Sequence, residues 1–463
     1  MNNTPIHFYK PDDPTRFVGD CMPFSHDGTF YFFHLQDENH HQSLGGLGGH
    51  QWALATSQDL RAWQHHPLAL PISADWEGSI CTGSVLHHDG LFYAFYATRK
   101  TDYTQHLSLA VSPDGVHFEK LAPNPFFSPP SGYNPYHFRD PFAFHAPDGR
   151  IHLLVTALLE THPIPERGGC LAHLVAADPR GPWEMLEPFY IPGTPDVPEC
   201  ADLFEWNGRF YLIYGSRLQA HYRIGSSLFG PWERPAVDTF EAPAARVMKT
   251  AAWGERRIGA AWIGSPNGEN DSTGSQWGGQ ALFRELLQMP DGSLGVRPLA
   301  EASPPAAGAP RTPALTPVTA AARSGASVHK LERSGGLEAL RAGGIPAYTR
   351  LNLVLRPGAG SGPFGLRLRA AGFESGVDLE LNPAEHSVRL AAQELRGWDA
   401  GDGAIALEVT LYGDILDVCL GNRYCLAARW GQSGTDGLWI YAIDRELTLE
   451  DFNVQPLAAP SFG

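Results

Sequence analysis

The chain reads as all-β: a five-bladed β-propeller followed by a C-terminal β-sandwich. Three observations predict this. A turn ending in glycine occurs five times before residue 265, each time leading into a strand rich in aromatic or branched residues. Short alternating strands fill the last third of the chain, and helical periodicity is weak throughout.

The turns are Ser25-His26-Asp27-Gly28 before FYFFH, His88-Asp89-Gly90 before FYAFY, Pro147-Asp148-Gly149 before IHLLV, Trp206-Asn207-Gly208 before FYLIY, and Trp253-Gly254 before IGAAW. Their glycines stand 62, 59, 59 and 46 residues apart, room for one four-stranded sheet per copy. Asp-Gly and Asn-Gly favour a tight hairpin because both central positions want positive φ, which Gly accepts freely and Asn or Asp tolerate. Each turn therefore joins two neighbouring antiparallel strands. The propeller is expected over residues 1–300.

Residues 301–326, EASPPAAGAPRTPALTPVTAAARSGA, are rich in Pro and Ala and lack any aromatic residue, so they read as a linker or loosely packed strap. Beyond them, over 327–463, come GLRLRAA, VDLELN, SVRLAA, IALEVTLY, ILDVCL and GLWIYAI, separated by Gly, Asn and Asp turns. That alternation suits a β-sandwich with apolar inner faces. One short helical segment is expected over Leu331 to Leu340.

Composition excludes several function classes. The 463 residues are 43% hydrophobic, and no apolar run approaches the roughly 20 residues that span a bilayer. The start lacks a basic segment followed by an apolar one, so a cytoplasmic protein without membrane association is expected. A net charge of −16 without any Lys/Arg run argues against nucleic acid and for a small neutral substrate. Six cysteines are scattered without a C-x-x-C pair, which predicts reduced thiols. Histidine pairs occur at 40–41, 65–66 and 87–88. Adjacent strand residues point to opposite faces and no carboxylate or Cys lies at ligand spacing, so these are read as solvated or hydrogen-bonded. No metal and no cofactor are expected, and the oligomeric state is left open.

Three carboxylates sit in nearly the same register before the turns: Asp20 eight residues before Gly28, Asp140 nine before Gly149, and Glu199 nine before Gly208. If each upstream strand is the innermost of its blade, the acids of blades one, three and four converge at one mouth of the funnel. Blades two and five offer Thr82 and Arg246 instead. Charges inside apolar strands are costly unless paired or used. Arg139, next to Asp140, is expected to pair with a carboxylate on another strand or with substrate, since neighbours on a strand point apart. Two carboxyl groups flanking a glycosidic bond divide the labour of hydrolysis, one attacking the anomeric carbon and the other protonating the leaving oxygen, while a third holds sugar hydroxyls. There is no Gly-x-Ser-x-Gly elbow and no phosphate-cradling Gly-rich loop.

These residues also carry a resemblance to glycoside hydrolase family 32, the β-fructosidases. Its Arg-Asp-Pro element is matched by Arg139-Asp140-Pro141, and its Glu-Cys-Pro-Asp element by Glu199-Cys200-Ala201-Asp202. Trp52 to Ser57, with Asp59-Leu60 and Trp63, is similar to another of its segments, and Arg284-Glu285-Leu286 to the element that closes its propeller. The resemblance implies a propeller plus sandwich, with Asp20 as nucleophile, Asp140 as transition-state stabiliser and Glu199 as general acid/base of a retaining hydrolase. It further implies substrate contacts from Arg139, Trp52, Thr82, Ser84 and Asp202. The family's Trp-Met-Asn-Asp-Pro-Asn-Gly appears as Phe17-Val18-Gly19-Asp20-Cys21-Met22-Pro23, without either asparagine, its Phe-Ser-Gly-Ser as Cys81-Thr82-Gly83-Ser84, and its second-strand Gln falls at Leu35. These departures bear on which sugar is held rather than on the reaction. Gln36, Asp37, Trp76, Arg217, His221 and Tyr222 are candidates to replace the lost contacts, with core packing the alternative for Trp76.

Two other readings stay open. One is an inverting arabinofuranosidase like those of the related five-bladed family 43, and the other a non-catalytic glycan-binding propeller. A carboxyl separation of about 5–5.5 Å predicts retention, and about 6.5–9.5 Å inversion.

Overall fold

The computed structural model describes residues 5–266, 275–399, 403–431 and 436–460. Blade one comprises β1 (Arg16–His26), β2 (Thr29–Glu38), β3 (Gln51–Ser57) and β4 (Gln64–His65). Blade two comprises β5 (Glu77–His88), β6 (Leu91–Lys100), β7 (Gln105–Ser112) and β8 (Glu119–Lys120). Blade three has β9 (Tyr133–His145), β10 (Ile151–Leu159), β11 (Gly169–Ala176) and β12 (Glu184–Tyr190). Blade four has β13 (Glu199–Trp206), β14 (Arg209–Ser216), β15 (Gln219–Gly225) and β16 (Trp232–Glu233). Blade five has β17 (Ala245–Trp253), β18 (Arg256–Pro266), β19 (Ser275–Gln288) and β20 (Leu294–Pro298).

All five predicted glycine turns join the first two strands of a blade. In each, the glycine has positive φ, and Asp27, Asp89 and Asn207 just before it do too, the conformation a tight antiparallel hairpin needs. The first strands of the blades pack against one another around the ring, so β1, β5, β9, β13 and β17 line the axis. Blades one and five are also hydrogen-bonded where Val18 pairs with Gly279. Buried aromatic side chains such as Phe30, Phe32, Phe95, Tyr96 and Tyr211 fill the space between blades.

Two seven-stranded antiparallel sheets form the sandwich. One runs, in spatial order, through Thr316–Pro317, Leu337–Ala342, Leu438–Ile443, Phe364–Leu368, Val377–Asn382, Ser387–Leu390 and Gln393–Arg396. The other runs through Ala322–Ser324, Val328–Leu331, Arg445–Pro456, Tyr348–Gly360, Ile405–Tyr412, Ile415–Leu420 and Tyr424–Arg429.

Two expectations are corrected here. The short helix over Leu331 to Leu340 is instead two strands separated by a turn through Gly335, because Val328–Leu331 pairs with Arg445–Pro456 and Leu337–Ala342 with Leu438–Ile443. Partners distant in sequence override a weak local preference. The Pro/Ala-rich stretch 301–326 is tied down rather than loose. It holds two of the short edge strands, and Arg311 bridges to Val454.

The propeller and sandwich share a core in which Phe8, Tyr211, Phe240 and Leu294 meet Tyr412, Ile415, Cys419 and Cys425. Among the described residues, no helix is long and apolar enough to cross a membrane.

Candidate active site

Positions eight and nine before a turn glycine have opposite parity, so strict alternation would aim Asp20 one way and Asp140 and Glu199 the other. The fold resolves this with a β-bulge on every inner strand at one height. Gly19-Asp20 opposes Leu35, Cys81-Thr82 opposes Ala97, Asp140-Pro141 opposes Val155, Cys200-Ala201 opposes Tyr214, and Val247-Met248 opposes Ala261. Asp140, Cys200 and Val247 reach positive φ there (53°, 54° and 53°). Two residues facing one bend the strand and re-aim its side chains, which brings both parities to the axis.

The result is a cavity of roughly 140 Å³ lined by Asp20, Asp140 and Glu199 together with Thr82, Arg139 and Arg246. Asp20 accepts hydrogen bonds on both oxygens, from Thr82 Oγ1 at 2.5 Å and from Trp262 Nε1 at 3.0 Å. Asp140 Oδ2 accepts from Thr156 Oγ1 and from the Cys200 amide, each at 3.3 Å. Arg139 Nη2 donates to Glu199 Oε1 at 2.5 Å, while its Nε lies 3.6 Å from Asp140 Oδ2. The expected cross-strand partner of Arg139 is therefore Glu199. Its ion pair with the adjacent Asp140 also forms, because the bulge suspends the rule that neighbours point apart.

Burial pushes the Asp20 carboxyl up and the charge of Glu199 adds to this, while Thr82 and Trp262 pull it back. Asp20 lies deep in the molecule yet opens on the cavity, so a small molecule can reach it. Asp140 is pushed up to about 6 by burial, with Glu199 and Asp20 adding and Arg139 and Lys249 opposing. Glu199 has 37% of its side chain exposed, which sets it nearer the mouth. Burial also pushes the Cys200 thiol well up, so it stays protonated beside Asp20.

Several predicted contacts lie elsewhere. Trp52 is fully buried and its Nε1 donates to the Cys81 carbonyl; it is core between blades one and two. Ser84 bridges β5 to β9, donating to Pro141 O and accepting from the Ala143 amide. Asp202 ties blade four to blade five by accepting from the Thr250 amide at 2.8 Å and from the Thr250 hydroxyl. His221 pairs with Asp238 at 3.4 Å, and Trp76 is a half-buried turn residue ahead of β5. None of these five lines the cavity. Trp52, Ser84 and Asp202 are consumed by contacts between blades, which a family pattern read along one chain does not reveal. Asp37 stands behind the cavity wall, accepting from the His41 amide at 2.9 Å.

Residues not anticipated supply that wall: His41, His50, Arg99, Trp262 and Trp277. Trp277 lies flat against His50, with ring centroids 4.2 Å apart and planes 13° apart. A Cβ on Gly19 would fall 2.1 Å from its Cη2, so the glycine in the asparagine's place makes room for this ring. The expectation that the paired histidines have no carboxylate at ligand spacing is also corrected. Asp37, four residues before His41, meets it and His50 across the loop between β2 and β3. All six cysteines are free thiols.

An open funnel of five blades with a trio of carboxylates at its axis, packed against a β-sandwich, defines the architecture of propeller-type glycosidases. More particularly, residues 14–298 match the glycosyl hydrolases family 32 N-terminal domain, and the chain belongs to that family. A raffinose invertase of Escherichia coli is 26% identical over 293 residues, 57% of this chain and 58% of that protein. A sucrose-6-phosphate hydrolase of the same organism is equally similar. The chain thus spans little more than half the length of these curated relatives. Among solved structures, fructan 1-exohydrolase IIa from Cichorium intybus superposes over 99% of both chains with a TM-score of 0.71 at 17% identity. Exo-inulinase from Aspergillus awamori does so over 99% of this chain and all of its own, with a TM-score of 0.71 at 16% identity. At such identities the likeness is one of fold.

Proposed function

We propose that the chain hydrolyses a small β-fructoside or related furanoside with retention of configuration. The observation that carries this reading is the meeting of Asp20, Asp140 and Glu199 in one small cavity, with Arg139 bonded to Glu199 and close to Asp140. An Asp20 oxygen attacks the anomeric carbon as the glycosidic bond breaks. Glu199 gives its proton to the departing oxygen, and a glycosyl ester on Asp20 is left. Water then attacks the same carbon, Glu199 takes its proton, and Asp20 leaves as a carboxylate. Asp140, on the cavity wall, accepts hydrogen bonds from sugar hydroxyls that strengthen as positive charge develops on the ring. The relatives named as invertase and sucrose-6-phosphate hydrolase point to the same substrate class. Six free thiols suit a reducing compartment such as the cytoplasm.

The test is turnover of sucrose, raffinose, short fructans and chromogenic furanosides by the wild type, Asp20→Ala and Glu199→Ala, with the first-formed anomer read by NMR. Release of fructose in the retained configuration by the wild type, at least about 10³-fold slower in both variants, is expected. Inversion on an arabinofuranoside would move the protein to the family 43 type of reaction. Saturable sugar binding without turnover would make it a glycan-binding propeller.

A further inference from the structure

Where His41 and His50 line the cavity and Asp37 stands behind them, one ligand atom of each lies within 4.8 Å of the other two. His50 Nε2 is 3.0 Å from His41 Nδ1 and 3.2 Å from Asp37 Oδ1. Edges of about 3.3 Å are what a tetrahedral shell with bonds of about 2.0–2.1 Å requires. Asp37 and His50 are buried, and the second carboxylate oxygen, Asp37 Oδ2, has no hydrogen-bond partner among the described residues.

The contacts of His41 and His50 cannot all be hydrogen bonds at once. Arg99 Nη1 can only donate, and it lies 3.1 Å from His41 Nε2. His41 must then carry its proton on Nδ1 and give it to His50 Nε2, which leaves the Asp37 carboxylate facing a lone pair. If His50 Nε2 instead donates to Asp37, His41 becomes an acceptor at Nδ1 and its Nε2–H faces the Arg99 donor. No placement of protons satisfies the three contacts together. A cation among the three takes the lone pairs of His41 Nδ1, His50 Nε2 and Asp37; His41 then carries its proton on Nε2, so Arg99 Nη1 has to turn from it and keeps the Leu47 carbonyl, at 3.0 Å, as its acceptor.

The local chain is shaped for this meeting. Asn39, His40 and His41 all have positive φ, which is costly for side-chain-bearing residues. Gly48, at a φ of 97° that favours glycine, lies where a Cβ would be 3.0 Å from the His41 ring and 3.1 Å from the His50 ring and would crowd both imidazoles. Gly278 likewise leaves space for Asp37 Oδ2, 2.8 Å from where its Cβ would be.

We propose that Asp37, His41 and His50 bind a divalent transition metal of the zinc class, with an open coordination position turned to the catalytic cavity. Two imidazoles and one carboxylate select against Mg²⁺ and Ca²⁺, which prefer all-oxygen shells. Three protein ligands leave a fourth position free, and both histidines line the cavity, so that position takes a water or a hydroxyl of the bound sugar.

The experiment is metal binding by the chelator-stripped full chain, which needs no turnover and so stands apart from the hydrolase reading. Co²⁺ titration followed by visible absorption, and Zn²⁺ content after dialysis, are measured for the wild type, His41→Ala, Asp37→Asn and the exposed control His117→Ala. The expected result is about one metal per chain in wild type and control, with the bands of a low-coordinate Co²⁺ centre quenched by Zn²⁺, and loss of both signals in the other two. His41 is on a partly exposed loop, so if Asp37→Asn fails to fold, His41→Ala alone decides. No stoichiometric metal in the wild type, or equal binding in His41→Ala, overturns the proposal.

Discussion

In the proposed mechanism Asp140 trades stability for function. Its carboxyl is held at about 6 in the folded protein, above the ordinary value near 3.9. The folded state therefore binds the proton more tightly than the unfolded chain. Stability falls as pH rises from about 4 to about 6, by about 3 kcal/mol for a shift of this size. Asp140→Asn is expected to stabilise the protein at pH 7.5 by up to about 3 kcal/mol, with the gain vanishing below about pH 4. It should also slow turnover by about 10²–10³-fold. Chemical denaturation at several pH values, beside steady-state rates, checks both halves. The three acids are legible in the sequence because each is a charge inside an apolar strand eight or nine residues before a turn glycine. Trp52, Ser84 and Asp202 sit just as close in sequence, but their side chains are used between blades.

At the scale of elements, the inner strands differ from ideal strands by a single repeated irregularity. The five bulges turn a period-2 pattern into a ring of inward-facing groups. Beside the first of them, Gly19 and Trp277 are a matched pair. Restoring the family's asparagine with Gly19→Asn would drive its side chain into the indole, and a loss of about 1–3 kcal/mol is expected. Adding Trp277→Ala should recover most of that stability, because the ring is what occupies the space. Thermal unfolding of the two single variants and the double variant measures the coupling. Elements with strong alternation were legible to within a residue or two: IALEVTLY and ILDVCL are Ile405–Tyr412 and Ile415–Leu420. The helix expected over Leu331 to Leu340 does not form because its strands owe their existence to partners about 100 residues away or more.

Across the whole molecule, one buried arginine joins the propeller to the sandwich. Arg284 donates through Nε to Glu241 Oε2 at 2.7 Å and through Nη2 and Nη1 to the two oxygens of Asp417 at 2.6 and 2.9 Å. His7 reaches the same Asp417 carboxylate at 3.2 Å. Burial by itself would raise the Asp417 carboxyl, but Arg284 and His7 outweigh it and hold it well below the usual range. A depressed carboxyl stabilises the fold above its unfolded value, near 3.9, and that contribution is lost as pH falls through and below it. Asp417→Asn is expected to cost about 3–5 kcal/mol near neutral pH, because Arg284 loses its carboxylate partner. The gap between variant and wild type should close in acid, which pH-resolved denaturation would show.

The sequence by itself determined the number of blades, the strands that carry the acids and the presence of a sandwich. Turn chemistry and alternation are local, and they act over fewer than ten residues. Only the tertiary structure decided which polar side chains face the cavity, since a bulge reverses a side chain without leaving a sequence signature. It alone brought Asp37, His41 and His50 within 4.8 Å of one another, because a glycine-bearing loop closes there by contacts with blades two and five.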